Sequence, residues 1–489
     1  MQDRGIRTFL RQFEDKIGSS IAEDRIVFPE YNSGDVPRMF SALEYHHADK
    51  NDNKDSRVRV SHAAGSVVGA AALVAGTTVG AGILALPAAT AAAGFVPSSA
   101  ALTVAWIYMT MSGLLIAELT LNRIANTGRP GLGLLELYEG ALSRPWSQVG
   151  SAAYFFLHYA MMVAYIAQGG SNIDALLHEL GGESLASFPG AGQLVFTAVC
   201  ASALYFASSS LMETINNVLV AGVFASFLGV LAIGSQSADF GALFDPMQQH
   251  PDQVVNCFPI LFLALVYQNV VPSVVTQLEG DRSKIMQAVI AGTTAPFLMF
   301  LAWNAVVLGN VLGMGSADAA LADPVALLQS GAVGGGAASL GPLVGTFSML
   351  ALITSLIGFT VALENAWTDV FQIAPKSEQF KQWKPLLFGL VFVPPLALSV
   401  ANPDIFFNAL DYGGAFGVST LFLVLPPLMV WKERYNDSDK PLMTKPLVPF
   451  GKLALGSMWK AAGTLILEQG AEKLGIIDFV KHQLDQFQA

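Results

Sequence analysis

The chain has 489 residues, of which 53% are hydrophobic and only 13% are charged. This charged fraction is about half of the roughly 25% found in soluble domains, so the composition excludes an ordinary soluble enzyme and a disordered protein. The formal net charge of −11, from 37 acidic and 26 basic residues, excludes a polybasic surface for nucleic acid. The class that remains is a polytopic, all-α membrane protein.

Apolar stretches of about 20 residues, long enough for a helix to cross a bilayer, recur along the chain. The ten clear candidates, numbered here as spans 1 to 10, lie at about 64–93, 97–121, 147–170, 192–209, 212–234, 253–278, 284–312, 342–370, 384–400 and 404–431. An eleventh candidate at about 451–470 is weaker, because Lys452, Lys460 and Glu468 interrupt it. Its alternative is an amphipathic helix lying on the membrane surface.

The connections between the spans carry their positive charge on one side only. Sixteen Lys and Arg residues lie at 50–59 just before span 1, between spans 2 and 3, between spans 6 and 7, between spans 8 and 9, and at 432–445 just after span 10. The other connections, at 171–191, 235–252, 313–341 and 401–403, carry none. The positive-inside rule therefore places the N-terminus in the cytoplasm or on the equivalent side of an organelle.

Three regions are expected from this distribution of spans. Residues 1–62 form a polar tail with a possible amphipathic helix, for which the remnant of a targeting sequence is the alternative. Residues 63–435 form a ten-helix core that divides into two repeats, 63–234 and 253–431. Residues 436–489 hold the weaker eleventh helix and an amphipathic tail.

Spans 1 and 6 are both interrupted by residues that disfavour a continuous helix. Span 1 has three glycines within seven residues and then Pro87, and span 6 has Pro272 shortly after polar residues at bilayer depth. The candidate substrate-binding residues at these interruptions are Gly76, Thr77, Val79, Gly80, Ala81 and Gly82 in span 1, and Tyr267, Gln268, Asn269 and Pro272 in span 6.

Backbone that unwinds inside a membrane survives only where it lines a cavity or is buried in protein. Its free N–H groups attract a carboxylate, and its free carbonyl groups attract an ammonium group or a cation, so two such breaks suit an amino-acid zwitterion. Either interruption alone is equally well explained by a kinked helix without a ligand. Both together, five spans apart, favour a secondary transporter with inverted repeats of spans 1–5 and 6–10.

Several of these segments resemble the signatures of one family. The stretch GTTVGAGILALP, from Gly76 to Pro87, resembles the first-helix signature of the hydroxy/aromatic amino acid permeases, and Val271-Pro272-Ser273 resembles their sixth-helix motif. Further likeness lies in Ala295-Pro296, Trp303, the segment from Phe347 to Ser355, Ala409-Leu410-Asp411-Tyr412 and the segment from Leu425 to Tyr435. The last two segments are most similar to plant and algal tyrosine-transporter-like members, and the resemblance covers about 62–435.

The resemblance implies an eleven-helix carrier with the five-plus-five inverted-repeat fold of the amino acid/polyamine/organocation superfamily, in which helices 1 and 6 are broken. By analogy it implies a symporter, which is proton-coupled in the bacterial relatives. One departure concerns the residues just before the sixth-helix break. Bacterial members typically carry a Phe-His pair there, whereas this chain has Tyr267-Gln268, and glutamine cannot bind the coupling proton.

Span 3 carries a polar stripe that is expected to face the interior of the bundle. Tyr154, His158, Tyr165, Gln168 and Asn172 fall on one face of a helix. His158 and Tyr165 join the candidate substrate-binding residues for this reason. A lone buried histidine is more often a hydrogen-bonded structural residue, and this alternative stays open.

Ionisable residues are rare within the spans, because each costs about 2.5–3.5 kcal/mol at the centre of a helix. Glu118, Glu364 and Asp411 are candidates for ion coupling, and for Glu118 a bond to a neighbouring helix is equally plausible. Thr354 and Ser355 are further candidates, since hydroxyl oxygens suit a sodium ion beside the first break. Hydrogen bonding between helices is the commoner role of such hydroxyl groups.

The main hypothesis is an ion-coupled symporter of amino acids, aromatic ones first, that works by alternating access. Its partners are the lipid bilayer, the amino acid and a coupling cation, either H⁺ or Na⁺; no cofactor and no nucleic acid are expected. A carrier of another small zwitterion, a channel and a membrane-embedded enzyme are the alternatives. An enzyme is disfavoured, because the one histidine within a span has no metal-ligand or nucleophile cluster around it. The plasma membrane and a plastid-type envelope membrane are both open.

Overall fold

The structure is a computed structural model that describes residues 44–46, 59–61, 65–127, 132–179, 188–207, 209–312, 324–329, 340–373, 377–436 and 445–473. The amphipathic helix expected in the N-terminal tail and the amphipathic tail expected after the eleventh helix lie outside these ranges. Two short strands, β1 (Glu44–His46) and β2 (Arg59–Ser61), pair antiparallel.

Helices make up the membrane-embedded part of the described chain. In the first half they are α1 (Val67–Thr78), α2 (Gly82–Ala91), α3 (Phe95–Thr127), α4 (Leu134–Ala141), α5 (Arg144–Glu179), α6 (Ala191–Phe206) and α7 (Ser209–Ser237). Three 3₁₀ turns follow at Ala242–Phe244, Pro246–Gln248 and Pro251–Cys257.

The second half begins with another broken segment. It comprises α8 (Phe258–Ala264), a 3₁₀ turn at Gln268–Val270, α9 (Val271–Gln277), α10 (Arg282–Leu312), α11 (Pro324–Gln329), α12 (Leu340–Val370), α13 (Glu378–Ala401), α14 (Phe406–Tyr412), a π-helical segment at Gly413–Val424, α15 (Leu425–Tyr435) and α16 (Gly451–Lys473).

Eight helical segments in the described part are long and apolar enough to cross a membrane, and the bent pair of α1 and α2 makes a ninth. The fourth expected span is α6, whose 16 residues are apolar but shorter than a full crossing. With α6 included, these segments occupy the positions of all ten spans expected from the sequence. The chain is therefore a polytopic helical membrane protein, as its composition predicts.

The centre of the bundle is formed by span 10 and the segments around it. In its most apolar stretch span 10 is 78% buried, whereas α7 and α13 are only 28% buried and lie at the periphery. Two glycines allow span 10 to pack closely on its neighbours: Gly414 lies against the Pro259 carbonyl group, and a Cβ atom on Gly417 would lie 2.8 Å from Cβ of Leu157. Larger side chains here would separate span 10 from α8 and α5.

The last described helix, α16, runs beside span 10 from one end to the other. At its start the Lys452 ammonium group lies 4.8 Å from the centre of the Tyr435 ring, and at its end Lys473 forms an ion pair with Asp411. Between these points the Tyr108 hydroxyl donates a hydrogen bond to the carbonyl oxygen of Met458, at 2.9 Å. A helix of 23 residues is about 35 Å long, which matches the thickness of a bilayer core.

A buried ion pair joins the C-terminal ends of spans 2 and 10. The Arg434 guanidinium donates to both carboxylate oxygens of Glu118, at 2.7 and 2.6 Å, and the two side chains are 3% and 1% exposed. The N–H group of Leu447 donates to the same carboxylate at 2.8 Å, and Arg434 also donates to the Val448 carbonyl oxygen. The segment leading to α16 is thereby fixed to the bundle.

We expect Glu118→Ala to destabilise the protein by about 3–5 kcal/mol, because it leaves the Arg434 guanidinium buried without its charged partner. Thermal unfolding in detergent, followed by the loss of monomeric protein, measures this effect. The matched control is Glu378→Ala, which breaks the exposed pair of Glu378 with Lys381 and is expected to cost at most about 1 kcal/mol. Equal losses of stability in the two variants would contradict a stabilising role of the buried pair.

Candidate functional site

The first helix break lies between α1 and α2, whose axes differ in direction by 57°. The helix α1 ends at Thr78, Val79 leaves the helical region with φ −78° and ψ 92°, and α2 begins at Gly82. The N–H group of Ala81 donates a hydrogen bond to the Ser355 hydroxyl oxygen in α12, at 3.0 Å. One of the donors released by the break is therefore satisfied by a side chain of span 8.

Glycine is required where span 8 approaches this break. A Cβ atom on Gly80 would lie 2.8 Å from the Ser355 hydroxyl oxygen, closer than real Cβ atoms come. Gly76, one turn earlier, has no heavy atom within 4 Å of such a position, so it borders open space. The Thr77 side chain beside it is exposed, and its hydroxyl donates to the Leu73 carbonyl oxygen.

The second break separates α8 from α9. The helix α8 ends at Ala264, Tyr267 has φ −147° and ψ −4°, and Pro272 lies in the first turn of α9, where its missing N–H group costs nothing. The two breaks face each other, since a Cβ atom on Gly82 would lie only 3.0 Å from Cα of Ala264. Both interruptions expected from the sequence are thus present, and they meet.

Tyr267 and Gln268 turn towards α3. The Tyr267 hydroxyl donates to the Met109 carbonyl oxygen at 3.0 Å, and the Gln268 amide nitrogen donates to the same oxygen at 3.3 Å. Gln268 Oε1 also accepts a hydrogen bond from the Tyr267 N–H group. In this arrangement both side chains are buried and hold the second break on span 2.

Gly113 provides the space for the Tyr267 ring and is a site residue that the sequence analysis missed. A Cβ atom there would lie 2.5 Å from Cζ of Tyr267. The only signal in the sequence is a glycine within a long apolar helix, which is common in membrane spans. Asn269, next to this pair, has a buried Oδ1 atom without a hydrogen-bond partner, so it is available to a ligand.

Aromatic residues surround the Ser355 side chain. The Tyr165 hydroxyl interacts with Ser355, and the Tyr165 ring lies 5.6 Å from that of Phe359, one helical turn after Ser355. The His158 ring lies 5.0 Å from Phe359 and is stacked on Tyr154 at 3.8 Å. The structure therefore places His158 and Tyr165 on one wall with Ser355, as the polar stripe predicts, and adds Phe359 to it.

His158 is fully buried, and only one of its ring nitrogens has a partner. Nδ1 lies 2.7 Å from the carbonyl oxygen of Tyr154 in the preceding turn. Nε2 has no hydrogen-bond partner. Because a buried polar atom without a partner costs about 1–3 kcal/mol, this nitrogen is a position where a ligand or a water molecule would bind.

The two hydroxyl groups expected to bind sodium have different surroundings. Ser355 contacts the first break, whereas Thr354 donates to the carbonyl oxygens of Leu350 and Ala351 in its own helix, both at 3.0 Å. In the described part of the chain, no group of three His, Cys, Asp or Glu side chains is placed to hold a metal ion. A sodium site here would have to use Ser355 with backbone carbonyl groups of the break.

The three candidate carboxylates for ion coupling lie away from the breaks. Glu118 is paired with Arg434 and Asp411 with Lys473. Glu364 is half-buried in the C-terminal half of α12, where the charge of Lys384 acts on it. The Lys384 ammonium group donates to the Tyr205 carbonyl oxygen at the end of α6.

The two sides of the breaks differ in exposure. In α1 and α9, Thr77 and Ser273 are exposed. In the other halves of the two broken spans, residues 81–87 and 259–265 are buried. The exposed halves are those that the charge pattern of the sequence predicts to face the cytoplasm.

Comparison with known proteins gives consistent matches along the same region. A family model described as the tryptophan/tyrosine permease family matches residues 63–455. A tryptophan-specific transport protein of Haemophilus influenzae is 26% identical over 377 residues, which cover 75% of this chain and 87% of that protein. The tyrosine-specific transport system 1 of the same bacterium is 28% identical over 380 residues, covering 76% and 90%. A tryptophan-specific transport protein of Shigella flexneri is 25% identical over 384 residues, covering 77% and 88%.

We expect Gly113→Ala to lower stability by about 1–3 kcal/mol, because the added methyl group overlaps the Tyr267 ring. In a double-mutant cycle with Tyr267→Leu, the double variant should be no less stable than Tyr267→Leu alone, since the overlapping ring is gone. Thermal unfolding measures all four proteins. Gly345→Ala, at a helical position with no atom within 4 Å of the added Cβ, is the control and should lose no stability. Additive effects in the cycle would show that the two residues do not interact.

Proposed function

Because the chain belongs to the tryptophan/tyrosine permease family, we propose that it carries aromatic amino acids across the membrane, with the substrate bound where the two helix breaks meet. It is an amino-acid transporter and not an enzyme, and its partners are the lipid bilayer and its amino-acid substrate. The observation that carries the proposal is the meeting of Gly82 with Ala264, beside the wall formed by Ser355 and the aromatic residues of spans 3 and 8.

The backbone at the breaks suits the two charged ends of an amino acid. The helices α2 and α9 both begin at a break, and the first N–H groups of a helix attract a carboxylate. The carbonyl groups freed at the end of α1 attract an ammonium group. Gly76 has no heavy atom within 4 Å of an added Cβ, so a ligand can approach the backbone closely there.

The aromatic wall suits the substrate side chain. Tyr165, Phe359 and His158 follow one another from Ser355 towards the cytoplasmic half of span 3. Aromatic pairs gain about 0.5–1.5 kcal/mol beyond the area that they bury, which favours an aromatic substrate over an aliphatic one. The unpartnered Nε2 atom of His158 is placed to hydrogen-bond the phenol of tyrosine or the indole of tryptophan.

Alternating access is the mechanism that we propose for this site. The cytoplasmic halves of the broken spans carry the exposed polar residues Thr77 and Ser273, and the opposite halves are closed around Gly82 and Ala264. This asymmetry is that of a carrier open to the cytoplasm. The inverted repeat of spans 1–5 and 6–10 supplies the second arrangement, in which the closed and open halves exchange roles. The contacts of α16 along span 10 support its assignment as the eleventh span.

We propose that transport is coupled to a cation, and the contacts of the candidate residues support some of them over others. Glu118 and Asp411 are already paired with basic side chains, so they are less available in this arrangement. His158 and Glu364 are the candidates for a proton, and Ser355 with the backbone of the first break is the candidate for sodium.

If the coupling ion is a proton that binds His158, His158→Gln abolishes the acceleration of amino-acid uptake by a proton gradient. If it is sodium bound at Ser355, Ser355→Ala abolishes the acceleration of uptake by a sodium gradient.

Uptake of radiolabelled tyrosine, tryptophan, phenylalanine and leucine into proteoliposomes tests the proposal, with an imposed proton or sodium gradient in parallel samples. We expect the three aromatic amino acids to be taken up and leucine to be transported at least tenfold more slowly. One of the two gradients should accelerate uptake. Absence of amino-acid uptake under every gradient would contradict the proposed function, and faster uptake of leucine would contradict the aromatic preference.

We expect Gly80→Leu to abolish uptake while the protein still inserts and remains monodisperse, because the leucine side chain occupies the space between the first break and Ser355. The same proteoliposome assay measures this. Gly345→Leu introduces the same side chain at a position with open space and should retain uptake. Normal uptake by Gly80→Leu would exclude the first break as the substrate site.

A further inference from the structure

Three buried oxygen atoms without hydrogen-bond partners belong to α5 and α6, two helices that pack against each other. They are Asp174 Oδ1, Gln193 Oε1 and Thr197 Oγ1. The Gln193 side chain lies against Gly170 of α5, and Asp174 lies against Gly192 of α6. Each such atom costs about 1–3 kcal/mol when it stays unpaired, so each calls for a ligand or a water molecule.

Two glycines bring these side chains together. A Cβ atom on Gly192 would lie 2.6 Å from Asp174 Oδ1, and it would also touch the Gly170 carbonyl oxygen. On the other side of the contact, a Cβ atom on Gly170 would lie 2.6 Å from Cδ of Gln193. Any other residue at these positions would fill the space between the carboxylate of α5 and the amide of α6.

Two of the three side chains are deeply buried, whereas Asp174 is partly exposed although its Oδ1 atom is buried. Gln193 is 1% exposed and Thr197 is 5% exposed, and they follow one another by one turn on the same face of α6. Asp174 follows Gly170 by one turn on α5, so its carboxylate and the Gly170 carbonyl group also share a face. The contact therefore presents a carboxylate, an amide oxygen, a hydroxyl and a carbonyl oxygen from two adjacent helices.

The charge at this contact calls for a cation. The chain contains no Lys or Arg between Pro145 and Asp281, so the basic side chain that the sequence places nearest to Asp174 is His178, one turn later on α5. The first turn of α6 lies beside the carboxylate, yet Asp174 Oδ1 accepts no hydrogen bond from it. Four oxygen donors with a single carboxylate suit a hard monovalent cation, whereas a divalent ion such as Ca²⁺ takes more ligands and usually more negative charge.

We propose that Asp174, Gln193 and Thr197 bind a sodium ion between spans 3 and 4, near the ends of these spans that face away from the cytoplasm. The site is separate from the helix breaks, where Ser355 is the sodium candidate. The bound sodium ion links α5 to α6 and stabilises the packing of these two helices. The proposal does not depend on which amino acid the protein carries.

Sodium binding by the purified full-length protein in detergent, without amino acid, tests the proposal. Equilibrium dialysis with radioactive sodium measures the binding, and melting temperatures are compared in sodium chloride and choline chloride at equal ionic strength. The wild type should bind sodium and melt at a higher temperature in sodium chloride. Asp174→Asn and Thr197→Val, which keep the shape of each side chain, should raise the dissociation constant at least tenfold and lose most of the thermal shift.

Two controls separate this site from other effects. Thr346→Val removes an exposed hydroxyl whose only bond is to the Pro342 carbonyl oxygen, and it should bind sodium as the wild type does. Ser355→Ala should leave the binding that depends on Asp174 in place. Absence of sodium binding by the wild type, unchanged binding by both Asp174→Asn and Thr197→Val, or loss of all binding in Ser355→Ala would each overturn the proposal. Since the readout is sodium alone, failure of amino-acid uptake has no bearing on it.

Discussion

The constraint on which this structure depends is that backbone polar groups cannot stay unpaired in the membrane. Both broken spans release such groups at mid-depth, and the fold places them where other protein groups reach them. The Ser355 hydroxyl accepts from Ala81 at the first break, while Tyr267 and Gln268 fix the second break to the Met109 carbonyl oxygen. The two breaks also meet, since a Cβ atom on Gly82 would lie 3.0 Å from Cα of Ala264, and for this reason we propose them as one site and not merely as two kinks.

The sequence predicts the parts of this arrangement that depend on local chemistry. Gly76, Gly80 and Gly82 make a helix costly between Thr78 and Gly82, and the break occurs there. Pro272 cannot continue a helix from α8, so a new helix begins at Val271. The apolar stretches likewise place the ten spans, because the length of a membrane crossing is set by the bilayer and not by packing.

The direction of each polar side chain could not be predicted in the same way. Tyr267 and Gln268 stand beside the second break in the sequence, yet they turn to span 2 because Gly113 leaves room for the ring there. Glu118 has the isolated charge that is typical of a coupling residue, and it pairs with Arg434, more than 300 positions later in the chain. Partners at such separations are set by how the helices pack, and one sequence does not show this.

The contacts beside the helix breaks and the contacts that hold spans 2 and 10 together differ in kind. Beside the helix breaks, Gly82 meets Ala264 and Gly414 meets the Pro259 backbone through close packing of small residues. At the ends of spans 2 and 10, a buried and bidentate ion pair joins Glu118 to Arg434. Small-residue contacts lose mainly van der Waals energy when they separate, whereas opening the ion pair leaves two charges buried without partners. In the alternating-access mechanism proposed above, we therefore expect the motion at the broken spans, while spans 2 and 10 stay together with the segment leading to α16.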